Sequence, residues 1–533
     1  MIPATIPGAI PRRLEAAFAA LLLLTFAWFH HAVPGWNVNT RWALTNALVD
    51  RGTIRIDDYA KTEEFGTGDL AVKDGHLYCD KPPGTSLLGV PALAAARGLE
   101  RLTAAAGARP WLPGGRRWFV TVFSVGLTAA ACGVLLARLL TLHGTRPAGA
   151  LALAALTMMA TPLFYYGTLF MAYAPAACFA MLAVWLWERW RIETIEPSDN
   201  ASAGPGDAAA PPWFACGLAL GVAMCCELVT AWVALAFAAH AAFTARAAGR
   251  LSPAGPVRFG AGAALGLAPF AAYCVAAFGA LTVPYQYEQD ELFRANMARG
   301  LMGATWPRFD VLVLLTVHPF RGLFVHAPWL AAGMVGWVVA WRDVGHPTRP
   351  ARFGRAEVVF GAAVFAGILT YNSAYFMWWG GWSFAPRLLI PAIPFLALGA
   401  GAAWRLCGRA GVAARWAIGT GGAVAVAIHW VVNATEPQGR DLITQPRHLT
   451  MMFHRLMQPD LSAYPYPWTF FGREWPKFAA GLTDTSLGTA VLGLPGGWIA
   501  DTPLAALWAA FAAWVFRGPV PPAETRDNSA VES

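Results

Sequence analysis

Residues 75–91, GHLYCDKPPGTSLLGVP, set a carboxylate, Asp80, beside an ammonium, Lys81, and follow them with two prolines. Pro82 and Pro83 fix their own backbone, and the first ring pushes Lys81 into an extended conformation, so Lys81 cannot continue a helix. A cation held on a rigid turn above an apolar helix start suits a lipid phosphate. Two further cations open apolar segments in the same way. Arg321 lies in VHPFRGLFVHAPW (317–329), and Arg387 follows Pro386 in YFMWWGGWSFAPRLLIP (375–391). An arginine at a non-cytoplasmic helix start runs against both the helix dipole and the topology rule, so the pair points to an anionic ligand. Trp378, Trp379 and Trp382 flank Gly380 and Gly381 there. Tryptophan at a membrane interface is ordinary, and its second use is to stack on a flat ligand face.

The elements that must hold these residues are membrane helices. Of 533 residues, 57% are hydrophobic and 13% charged, whereas a soluble chain carries about 25% charged residues. The fold class expected is an all-α polytopic membrane protein with about 12 transmembrane helices. Spans long enough to cross ~30 Å of hydrocarbon fall near 14–33, 117–140, 148–167, 171–189, 212–227, 229–246, 258–282, 321–341, 356–377, 386–405, 413–432 and 499–517. The pair at 212–246 reads as one long helix or as a hairpin turning near Glu227. Arginine clusters recur on one face, from Arg12 and Arg13 through Arg189 and Arg191 to Arg405, Arg409 and Arg415. That face is cytoplasmic by the positive-inside rule. The hairpin keeps every later cluster there, and a single helix would not. The net charge of +8 is explained by these loops, so no nucleic-acid partner is expected.

The other face then carries the long loops 34–116, 283–320 and 433–498 and the short loop 378–385. All four lysines, Lys61, Lys73, Lys81 and Lys477, lie in them. Residues 1–432 form a membrane-embedded region that includes the first outer loop. An outer loop 433–498, a last membrane helix within 499–518 and a disordered cytoplasmic tail at 519–533 complete the chain. Residues 197–212, PSDNASAGPGDAAAPP, read as a low-complexity linker. Thr40–Val49 has the spacing of an amphipathic helix lying on the membrane surface, ended by Gly52, and 84–104 reads as a second interfacial helix. The eight cysteines form no CxxC pair, so neither a disulfide framework nor a zinc site is indicated. The chain also lacks a GxxxxGK[ST] phosphate loop, which argues against ATP hydrolysis.

Tyr78-Cys79-Asp80-Lys81-Pro82-Pro83, together with RGLF at 321–324 and WWGGWSFAPRLLIPAIPF at 378–395, resembles polytopic glycosyltransferases of the GT-C class. The likeness is to the group that includes protein O-mannosyltransferases and the bacterial transferase that adds aminoarabinose to lipid A. The resemblance implies a multi-pass enzyme of the inner (plasma) membrane that moves a sugar from a polyprenyl-phosphate carrier. The acceptor would be a lipid, a glycan or a protein, met on the outer face, with membrane lipid around it. No organic cofactor or metal site is assigned. Under that reading Asp80, or Asp57 or Asp58, accepts the acceptor's proton. Lys81, Arg387 and Arg321 bind the phosphate, Arg41 and Asn39 orient the acid or the sugar, and Trp378 and Trp382 stack on the sugar or the lipid. The chain departs from the group at one point. Asn39-Thr40-Arg41 stands where the group has an acid taken as the catalytic base, and an asparagine cannot accept a proton. Two other readings remain: a lipid or sugar transporter, and an inactive relative acting as an assembly partner.

The alternating arginine clusters give a direct test of orientation. Single cysteines placed in loops 34–116 and 433–498, in a background without reactive cysteines, should label from outside intact cells. Labelling only after permeabilisation would reverse the assignment.

Overall fold

The computed structural model describes residues 9–31, 35–62, 64–107, 115–195, 210–319, 321–342, 353–381, 383–435, 475–483 and 486–517. Trp382, most of the 433–498 loop, most of the 197–212 linker and the 519–533 tail lie outside the described residues. Helix occupies each of the twelve apolar segments. Among the described residues seven helices are long and apolar enough to cross a membrane: Gly115–Leu142, Leu228–Ala247, Ala254–Phe278, Arg355–Ala374, Arg387–Trp404, Gly408–Thr435 and Trp498–Phe516. The others include helices too short for that on their own, such as Pro147–Met159 and Trp213–Cys226. Two expected spans are broken by proline, which cannot supply a backbone donor. The 148–167 segment stops at Met159 and resumes at Leu163, after Pro162. The 321–341 segment passes through a single 3-10 turn at Pro328–Leu330 before Ala331–Arg342.

The 212–246 segment is two helices. Trp213–Cys226 ends where Glu227 adopts an extended backbone, φ −147 and ψ 112, and Leu228 begins the next helical stretch. Trp213–Cys226 packs closely on Ala254–Phe278 through reciprocal small residues. An added Cβ on Gly217 or Gly221 would lie 2.1 or 2.3 Å from the carbonyl oxygens of Phe259 and Ala263. Gly262 and Gly266 meet Phe214 and Leu218 oxygens at 2.2 and 2.4 Å in return. Two facing Gly-x-x-x-Gly pairs let the backbones touch, which is how helices associate where lipid removes the hydrophobic drive.

The first long loop folds against this bundle. Helix Trp36–Arg51 ends at Gly52, whose left-handed φ of 61 and amide hydrogen bond to Leu48 close it. It is not the surface helix that its spacing suggests. Every residue from Val38 to Ala47 is buried, because neighbouring segments cover its polar face as well as its apolar one. Strands Leu70–Lys73 and His76–Cys79 form a two-stranded antiparallel ribbon. Its two-residue turn, Asp74-Gly75, has φ of 51 and 79, the Asp-Gly geometry that matches strand twist. The second strand delivers the chain at Asp80, and helix Gly84–Ala105 begins after Pro83.

Some 22 Å along helix Tyr173–Ile195, at 1.5 Å per residue, a buried charged cluster ties four helices. Glu188 meets His143 Nε2 at 3.2 Å, His240 Nε2 at 3.0 Å and Arg191 at 2.6 Å. Arg191 also reaches Glu357 at 3.0 Å, and Glu357 accepts the Gly354 amide at 2.6 Å. The ligand atoms of Glu188, His240 and Glu357 lie within 4.8 Å of one another, but Arg191 is already the cation between the two carboxylates. Glu188→Ala leaves that cation half-compensated, a loss of about 3–5 kcal/mol for a broken buried pair. The expected result is a clear fall in the melting temperature of detergent-solubilised protein; an unchanged value would show that the cluster holds nothing together.

Candidate active site

Lys81 owes its position to what surrounds a four-residue exit from a strand. Tyr273 Oη donates to the Cys79 carbonyl at 2.6 Å, which anchors the strand end on helix Ala254–Phe278. Three residues past Lys81, Gly84 lies against the tip of the broken hairpin. An added Cβ there would be 2.6 Å from the Cys225 carbonyl and 2.7 Å from the Cys226 amide nitrogen. Only glycine permits that approach, and it brings the Lys81 turn next to Glu227. Ser86 Oγ donates to the Arg41 carbonyl at 3.0 Å and Thr45 Oγ1 to the Ser86 carbonyl at 3.2 Å, so helix Trp36–Arg51 is stitched to the same turn.

Lys81 is 7% exposed, and its ammonium has two acids. It is ion-paired with Asp80 and lies 3.2 Å from Asp69. Burial works against its charge, but Asp69 and Asp80 more than offset this and hold its pKa well above the usual lysine range. Its Nζ also sits over the rings of Tyr285, at 5.3 Å, and Phe293, at 5.9 Å. Asp80 is fully buried. Burial pushes its carboxyl up, and Lys81 opposes that rise. Asp80 and Glu288 lie close enough for each carboxyl to act on the other. Burial first, and the Asp80 charge second, push the Glu288 carboxyl up to about 10. Glu288 therefore holds a proton near neutral pH. Glu288 is placed by pairing with the first ribbon strand, where its Oε1 accepts the Leu70 amide at 3.3 Å and the Leu70 carbonyl accepts the Gln289 amide at 2.8 Å.

These groups form one wall of a cavity of about 880 Å³. Its other walls bring Arg41, Arg387, Glu227, Tyr173, Tyr375 and Trp379. Arg41 is 2% exposed and donates to the carbonyl and side chain of Asn37. Arg387 begins the 3-10 turn Arg387–Ala392 after Ala385, which has a positive φ of 54. Its Nε is buried without a hydrogen-bond partner among the described residues. The cations that act most strongly on Glu227 are Arg41, Arg387 and Lys81, in that order. Three positive groups from three remote segments thus surround one polar space walled by aromatic rings. Such an arrangement of cations suits an anionic ligand, with carboxylates at hand that could take a proton.

Of the residues expected from sequence, Lys81, Arg41 and Arg387 line this cavity. Asp80 lies behind Lys81. Asn39 does not line it; its Nδ2 donates to the Gly66 carbonyl at 2.7 Å and pins the loop beside Asp69. Asp57 accepts the Leu77 amide at 2.9 Å and meets His76 at 3.3 Å, so it braces the ribbon. Asp58 is ion-paired with Arg51 at 2.6 Å on the surface. Arg321, fully buried, donates to the carbonyls of Trp379 at 2.9 Å and Gly381 at 3.3 Å. It clamps the Trp-Gly turn from beneath. Trp378 is buried against Trp379, and it is Trp379 that faces the cavity. Sequence reading missed Asp69, Glu288 and the tyrosines, and of the two roles open to Glu227, a polar contact of the hairpin or a site group, it favours the contact. Glu227 carried a signal, as the single acid in the apolar stretch 212–247; Glu288 carried none.

No family model and no curated protein matches the chain. In shape it is similar to ArnT from Cupriavidus metallidurans in a crystal structure with undecaprenyl phosphate, at 15% identity and a TM-score of 0.43, over 95% of this chain and 75% of that one. It is also similar to the archaeal oligosaccharyltransferase AglB from Archaeoglobus fulgidus in complex with an inhibitory peptide and a dolichol-phosphate, at 12% identity and a TM-score of 0.41. That match covers 86% of this chain and 60% of the other.

The raised Glu288 carboxyl gives stability a pH dependence with a definite sign. Its folded-state pKa of about 10 lies above the ordinary ~4.3 of an unfolded chain. Its contribution is complete below the ordinary value and is lost as pH rises towards 10, because the folded state then holds the extra proton. Glu288→Gln removes the titration. Wild type should lose melting temperature relative to Glu288→Gln between pH 6 and pH 10; a constant difference would mean that Glu288 is not held protonated by the fold.

Proposed function

We propose that the chain transfers a sugar from a polyprenyl-phosphate carrier to an acceptor hydroxyl, in a cavity on the extracytoplasmic face of the inner membrane. The observation that carries this reading is the convergence of Lys81, Arg41 and Arg387 on one cavity of about 880 Å³. Such a volume is within the range of sites that enclose most of a small ligand. The resemblance carried by Tyr78–Pro83 and by 378–395 supports the same reading.

Leaving-group stabilisation is the main task in such a transfer. When the bond from the anomeric carbon to the carrier oxygen breaks, charge builds on the departing phosphate. Fixed cations in a dry site stabilise that charge with little reorganisation. Lys81 is held by Asp80 and Asp69, Arg41 by Asn37, and Arg387 by the turn that Arg321 clamps. Each cation has a fixed direction before the ligand arrives. Asp80 fits the role of organiser of Lys81 better than that of base, since it is fully buried and ion-paired with Lys81. Tyr173, Tyr285 and Trp379 offer rings on which a sugar face can stack.

Release of sugar from labelled polyprenyl-phosphate sugars, with transfer to membrane acceptors, tests the activity. Lys81→Ala should weaken polyprenyl-phosphate binding about 10- to 150-fold, the loss of one charge-assisted hydrogen bond of about 1.5–3 kcal/mol. Lys81→Arg should restore part of it, because a planar guanidinium replaces a compact ammonium. Unchanged affinity in folded Lys81→Ala would remove the phosphate from this wall.

A further inference from the structure

We infer that Glu227, at the break between helices Trp213–Cys226 and Ala231–Ala247, is the catalytic base of this transfer. The assignment rests on the proposed glycosyl transfer and deepens it, since the acid expected near residue 39 is an asparagine.

Four acids line the cavity among the described residues: Asp69, Glu227, Glu288 and Asp290. Three are committed elsewhere. Asp69 is ion-paired with Lys81 at 3.2 Å. Glu288 holds a proton up to about pH 10, so it cannot take another near neutrality. Asp290 caps helix Glu291–Met297 by accepting the Phe293 amide at 2.7 Å. Outside the lining, Asp80 is sealed behind Lys81, and Asp57 and Asp58 serve the ribbon and Arg51. Glu227 makes no salt bridge among the described residues, although Arg41, Arg387 and Lys81 all act on it.

The cost of keeping it there supports a role. Glu227 is half-buried, and even partial desolvation of a carboxylate at the tip of an apolar hairpin is costly. The helix is broken at this residue, with an extended backbone, and Gly84 presses on the two residues before it. A structural polar contact would show a committed partner, as Glu188 does with Arg191 and two histidines.

The step balances without a co-reactant. The acceptor oxygen attacks the anomeric carbon and forms the new glycosidic bond while its proton passes to the Glu227 carboxylate. The carbon–oxygen bond to the carrier breaks, and its electron pair leaves on the phosphate, where Lys81, Arg41 and Arg387 receive it. The proton then passes from Glu227 to the phosphate or to water.

Glu227→Gln is the near-isosteric test, measured at saturating donor and acceptor with melting temperature as the check on folding. Turnover should fall by at least ~10²-fold, the low end for general-base catalysis, while polyprenyl-phosphate affinity stays within a few fold. Glu227→Asp keeps the charge at shorter reach, and should retain more turnover than Glu227→Gln and keep the acidic limb of the wild-type pH–kcat profile; it also serves if Glu227→Gln does not fold. Wild-type turnover in Glu227→Gln, or a loss explained by donor affinity alone, overturns the assignment and leaves glycosyl transfer standing. Turnover lost in Asp69→Asn but kept in Glu227→Gln moves the base to Asp69. Wild-type protein that transfers no sugar from any polyprenyl-phosphate donor defeats both readings.

Discussion

The candidate site depends on a buried charge arrangement at the end of one short strand: the Lys81 ammonium between Asp80 and Asp69, with the protonated Glu288 beside Asp80. Each member alone is costly in a dry interior. Together they set one positive charge against two carboxylates, and the neutral third acid removes a repulsion that would otherwise push the group apart. The result is a cation that cannot swing to solvent and cannot lose its proton near neutral pH. A phosphate-binding group needs both properties.

That arrangement reaches the rest of the cavity through close backbone packing. Gly84 lies on the Cys225–Cys226 tip, and facing glycines hold that helix against Ala254–Phe278. The same helix, through Tyr273, holds the strand that ends in Cys79. The loop and the hairpin are therefore tied to one helix from two sides, and the separation of Lys81 from Glu227 is set by van der Waals contact. A cavity between flexible loops would lack that definition, and catalysis is sensitive to displacements of about 1 Å.

The opposite wall uses a different device. The Trp-Gly segment doubles back at Gly380 and Gly381, whose φ of 78 and 67 lie in the left-handed region, where glycine pays little. Arg321 beneath it satisfies two of its carbonyls, and Tyr166 meets both the amide and the carbonyl of Phe384 at 3.1 and 2.8 Å. Arg321 and Arg387 look alike in sequence, each opening an apolar segment. One spends its donors on backbone, and the other keeps Nε without a partner beside the cavity.

What the sequence by itself determined are the features governed by local chemistry. Hydropathy located the helical segments, arginine spacing required a break near Glu227, and Pro82-Pro83 marked Lys81 as a rigid turn cation. Each follows from solvation or sterics within a few residues. The tertiary structure alone decided which polar groups meet. It buried helix Trp36–Arg51 on its polar face too, tied Asp57 to the ribbon and Asp58 to Arg51, placed Asp80 behind Lys81, and brought Glu227 to the cavity wall. It also supplied Glu288, which nothing in its neighbourhood distinguishes from a solvated loop acid. The physical reason is that charge interaction and proton affinity depend on distance and burial in three dimensions, and groups separated by hundreds of residues have neither until the helices pack.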